Sequence, residues 1–96
     1  MPQRIYDLQF DDANVRKMIR HHLAEREVRG ILADRPIYLR NRRQRAATLL
    51  MIGATTGGRW LTVPIASTGT EGLWRPITGG DSTAGELARY EAVRRR

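Results

Sequence analysis

Ninety-six residues suffice for one modest hydrophobic core, and the reading is one domain over residues 1–96. With 41% hydrophobic and 28% charged residues the composition is that of a globular chain rather than a disordered one, and the absence of cysteine excludes disulfides and thiolate metal sites. The net charge is +7, carried by sixteen arginines and a single lysine, Lys17, which makes a polyanion or an acidic protein the natural ligand. No apolar run approaches the ~20 residues of a membrane span. Met1 to Arg4 leads into a chargeable segment with no signal-type apolar stretch, so the expected location is the cytoplasm, with no membrane partner.

Along the chain, Ile5 to Phe10 reads as a short first strand with Ile5, Leu8 and Phe10 inward. Asp11 or Asp12 then caps a helix whose apolar face is Val15, Met18, Ile19 and His22, and His21-His22 ends it. A second helix is predicted from Glu25 to Asp34, with Ala24, Val28, Ile31 and Leu32 as its stripe; Gly30 weakens it and Pro36 closes it. The period then becomes two. Ile37 and Leu39 alternate with Tyr38 and Arg40, and Ala46 to Ala54 is a continuous apolar strand, central or buried on both faces. Thr55 to Gly58 is a hairpin turn, after which Leu61, Val63 and Ile65 alternate with Trp60, Thr62 and Pro64. Beyond the polar loop Ser67 to Gly72, Leu73, Arg75 and Ile77 alternate with Trp74, Pro76 and Thr78. Pro64 and Pro76 each delete a ladder donor, which predicts an edge or a bulge. Thr83 and Glu86 fit a capping box opening a final helix that runs to Arg94-Arg95-Arg96. The expected fold class is α+β: an antiparallel sheet of about four strands, with two N-terminal helices and one C-terminal helix packed on one face.

Several short motifs occur in a consistent order. They are Phe10-Asp11 with Asn14 and His21; Glu27-Val28 with Ile31-Leu32; Ile52-Gly53 followed by Gly58-Arg59 and Leu61-Thr62-Val63; and Trp74-Arg75-Pro76-Ile77-Thr78 followed by Thr83, Glu86 and Tyr90. Over about eighty residues they resemble the BrnT family of bacterial toxins, RNA-cleaving partners of type II antitoxins whose fold is related to RelE-type ribonuclease toxins. The resemblance implies a ribonuclease held inactive by a cognate, BrnA-like, DNA-binding antitoxin. One position departs: Gly80 stands where the family signature carries an arginine.

Metal-independent RNA cleavage requires a base for the 2′-hydroxyl, an acid for the leaving oxygen, and cations for the charge that develops on phosphorus. Arg75, on the strand face of Leu73 and Ile77, is the phosphate candidate; the competing assignment is an ion pair with Glu86 or Asp81. Glu86 and Tyr90 share a helical face, as acid/base and as donor or stacking ring, or else as a capping residue and a packing ring. His21 is an acid/base candidate or a solvated histidine, and His22 is a structural or helix-end residue. Arg59 either reaches phosphate or is a solvated strand-end charge. Arg40, Arg42, Arg43 and Arg45, with Tyr38 and Trp60 near in the pattern, form a phosphate-tracking patch, a solvated loop, or a seat for an acidic antitoxin segment. No metal spacing and no cofactor motif is found, and the reading leaves room for a homo-oligomer. Two functions therefore stand: a ribonuclease toxin, or a BrnT-like module that binds nucleic acid or protein without cleaving.

Overall fold

The computed structural model describes residues 4–42 and 47–95. In chain order the elements are β1 (Asp7–Leu8), α1 (Asp12–Arg20), α2 (Glu25–Ala33), β2 (Ile37–Arg40), β3 (Leu49–Ala54), β4 (Trp60–Ser67), β5 (Leu73–Pro76), β6 (Gly80–Asp81) and α3 (Ala84–Arg94). The class is α+β. The sheet runs β1-β5-β4-β3-β2, with β6 also on β4.

Strands β2, β3, β4 and β5 pair antiparallel in succession, but the sheet as a whole is mixed and has six strands. The expectation of a purely antiparallel sheet fails at β1, which pairs parallel with β5, Asp7 opposite Leu73 and Leu8 opposite Trp74. A parallel partner must be reached by a long crossover, and the two helices and the meander supply it. The predicted first strand shortens to two residues, although Leu8 is buried and Ile5 and Phe10 pack against the core.

The helices do not share one face of the sheet. Met51, Leu61, Val63 and Ile65 join Met18, Leu23, Val28 and Ile31 of the α1–α2 side, whereas Ile37, Leu50 and Ile52 join Tyr90 of α3, with Trp60 packed against them. The cause is visible in β3, whose central residues Leu50 to Gly53 are all buried. A strand apolar on both sides needs cover on both sides.

Each helix is set by its ends. Asp11 caps α1 by accepting the Asn14 amide at 2.9 Å, and Thr83 caps α3 by accepting the Glu86 amide at 3.2 Å. The buried face of α1 is Asn14 and Met18; Ile19, expected inward, is 62% exposed, and His22 is exposed too. Asn14 can be buried because its side chain is fully used. Its Oδ1 accepts the Asp11 amide, and its Nδ2 donates to the carbonyls of Gln9 and Pro76 at 3.0 and 2.9 Å.

The two prolines act as expected, in different ways. The carbonyl of Pro64 accepts the Ile77 amide at 2.9 Å, so its nitrogen faces the β5 side, where the ladder breaks. Ile65 is opposite Pro76 and Thr62 is opposite Gly80, so a span of three on β4 faces a span of four on the β5–β6 segment. One residue is extra: β5 and β6 follow one another along β4 across a bulge at residues 77–79. The carbonyl of Pro76 faces the opposite way, to Asn14. Among the described residues, no helix is long and apolar enough to cross a membrane.

Candidate functional site

The uncovered part of the α3-side face is a cleft of about 840 Å³. Its floor is largely apolar, formed by Ala47 and Leu50 from the β3 side, Thr62 and Pro64 of β4 and Ile77 of the bulge. Thr78, Gly79, Gly80 and Asp81 make one wall, and Thr83, Gly85, Glu86 and Arg89 of α3 and its cap make another. His21 enters from the end of α1, and Asn41 and Arg42 from the end of β2. The volume falls within the range of small-molecule sites.

Of the predicted catalytic residues, His21 and Glu86 line this cleft, and Arg75 and Tyr90 do not. Arg75 is held elsewhere. Its Nε donates to Asp11 Oδ2 at 2.8 Å and its second terminal nitrogen to Oδ1 at 3.1 Å, a two-pronged pair with its side chain 31% exposed. The partner is neither Glu86 nor Asp81. The buried residues of β5 are Trp74 and Pro76, so Arg75 lies on the open face of its strand rather than an apolar one. The guanidinium, and next the Asn14 amide, hold the Asp11 carboxyl below the ordinary aspartate value.

Tyr90 is buried, with its ring edge-on to Trp60 at 4.7 Å between centroids, and the Arg94 guanidinium lies 5.4 Å from its ring. It anchors α3 to the sheet. Glu86 completes the capping box, its Oε1 accepting the Thr83 amide at 2.8 Å. One carboxylate oxygen is thus engaged while the residue also faces the cleft.

Arg59 is engaged within the fold rather than standing as a solvated strand end. Its Nε donates to Asp81 at 2.6 Å, and its terminal nitrogens donate to the His22 carbonyl at 2.6 Å and the His21 carbonyl at 3.3 Å, with Glu27 at 3.6 Å. It closes the C-terminal end of α1, where carbonyls lack partners and a cation is favoured. It also ties that end to α2 and β6. Asp81 is held below the ordinary aspartate value, chiefly by this hydrogen bond.

The arginine turn is described in part. Arg40 and Arg42 are exposed, and Arg43 and Arg45 lie outside the described residues. Arg89, which the sequence reading passed over, lines the cleft and donates to the Arg40 carbonyl at 3.3 Å. Its signal was available: it follows Glu86 by three residues, on the same helical face. All ion pairs among the described residues belong to Arg29, Arg59 and Arg75, so Arg42 and Arg89 carry charge that no carboxylate there neutralises.

No cluster of three or more histidine, aspartate or glutamate side chains placed to hold a metal ion occurs among the described residues. Comparison with family models, with curated proteins and with solved structures finds no match to this chain.

Proposed function

We propose that this protein binds RNA, presenting the α3-side face and its cleft to the phosphate backbone. The observation that carries the reading is the pair Arg42 and Arg89 on the walls of one cleft, without an ion pair among the described residues, on a chain of net charge +7. Arg40, beside them, and Arg43 and Arg45, next along the chain, extend the same positive segment. Titration of a labelled single-stranded RNA against salt tests it. The logarithm of affinity should fall linearly with the logarithm of salt, and Arg42→Ala with Arg89→Ala should flatten the slope by roughly 0.7 per lost contact. A slope that does not change removes these two residues from the interface.

A second reading, a cytoplasmic ribonuclease toxin with a RelE-like fold neutralised by a cognate antitoxin, is favoured by one observation: His21 and Glu86 line the same cleft as the two cations. An imidazole, a carboxylate and a guanidinium around one phosphodiester are the parts that proton transfer and charge stabilisation require. In this reading Arg89 takes the phosphate role first given to Arg75. Wild-type protein should cleave RNA in the presence of a chelator, and His21→Ala should lower the rate by about two orders of magnitude at unchanged RNA affinity. Tight binding without cleavage leaves the first reading alone.

A further inference from the structure

The bulge between β5 and β6 leaves backbone polar groups beside an apolar floor. Ile77 gives its amide to Pro64, and its own carbonyl then faces a nitrogen that has no hydrogen to donate. The amides of Thr78 and Gly79 meet no acceptor among the described residues. Residues 77–79, which carry these unpaired donors and this acceptor, line the same cleft as Leu50 and Pro64. A backbone group withheld from the ladder and open to a cleft is free to bind a ligand.

The chemistry of the lining selects among ligands. A flat apolar floor with mixed donors and acceptors at its rim fits a nucleobase, whose faces are apolar and whose edge carries both kinds of group. The flanking Arg42 and Arg89 fit the phosphates on either side of that base. An acidic peptide would use the same two cations, but its carboxylates only accept hydrogen bonds and leave the Ile77 carbonyl without a donor.

Resting on the RNA-binding reading, we propose that the cleft is a nucleobase subsite: one base of a bound strand lies on Leu50, Pro64 and Ile77, and its edge is read by the backbone of residues 77–79. A base read this way gives sequence preference at one position of an otherwise backbone-tracking interface.

Gly80 supplies the test. A β-carbon there meets no atom within 4 Å, and the residue lines the cleft, so Gly80→Trp is the substitution chosen to fill the space. The full chain is titrated with the four ribonucleoside 5′-monophosphates and with ribose 5-phosphate, and amide shifts are followed by NMR. At least one nucleotide should bind about tenfold more tightly than ribose 5-phosphate, a stacking-sized gain. The shifts should centre on Thr78, Gly79 and Gly80, and Gly80→Trp should abolish the gain while its other amide signals remain those of the folded chain. Equal binding of nucleotides and ribose 5-phosphate, with RNA still bound in a salt-dependent way, overturns the subsite and leaves the RNA reading standing. Failure of RNA itself to bind overturns both. A poly-glutamate peptide that shifts the same amides when nucleotides do not assigns the face to an acidic protein and overturns the subsite.

Discussion

Asn14 is the residue on which the N-terminal third turns. Its side chain joins the start of α1, the end of β1 and the carbonyl of Pro76, and its burial leaves no water to replace those bonds. Asn14→Ala should cost about 2–3 kcal/mol, the sum of a lost cap and the orphaned buried carbonyl of Pro76, measured as the shift in a urea midpoint. Beside it, Asp11 and, across the molecule, Asp81 are depressed below 3.8 by their arginine partners. A depressed carboxyl contributes stability that is whole above its unfolded value and is lost as pH falls through the native one. Thermal stability should therefore drop progressively below pH 3.8, and Asp11→Asn with Asp81→Asn should give a less stable protein with a flatter acid limb. An unchanged limb would mean that other carboxylates set the acid transition.

At the scale of elements, α3 is held differently from α1 and α2. Tyr90 is its only buried residue, set against Trp60, Ile37, Leu50 and Ile52. Tyr90→Ala should remove about 3 kcal/mol from that contact, and the loss should be local. Hydrogen exchange should quicken across Ala84–Arg94 while the amides of β3 and β4 stay protected; uniform acceleration would show that α3 belongs to the global unit. The elements were largely legible in the sequence, because capping residues, hairpin turn and period-two alternation are local signals. Asp11, Thr83 with Glu86, and the Pro64 interruption all act where the pattern placed them. What was not legible depends on residues far apart. The Arg75–Asp11 pair spans 64 positions, and nothing near Arg75 marks Asp11 over Glu86. The inversion of the β5 face has the same origin, since Trp74 and Pro76 face the core only because α1 and β1 sit beside them.

For the whole molecule, the arginines divide by duty. Arg29, Arg59 and Arg75 fix the scaffold through carboxylates and helix-end carbonyls, while Arg42 and Arg89 stand on one cleft and form no ion pair among the described residues. A count of charges could not separate these roles. The separation also explains how a chain of +7 keeps a compact fold: pairing lowers self-repulsion within the scaffold, and the remainder is spread over exposed positions.

The parallel seam between β1 and β5 bears on how the chain acquires its shape. Asp7 and Leu8 find their partners at Leu73 and Trp74, so the first strand cannot join the sheet until the last part of the meander exists. During synthesis the two N-terminal helices emerge with Met18, Val28 and Ile31 uncovered, and only the later strands can cover them. Such distant closure is slow compared with the local hairpins of the meander. In refolding experiments the β3–β4 hairpin should gain protected amides before β1 does, and a chain ending at Gly72 should retain helix yet expose apolar surface to a reporter dye.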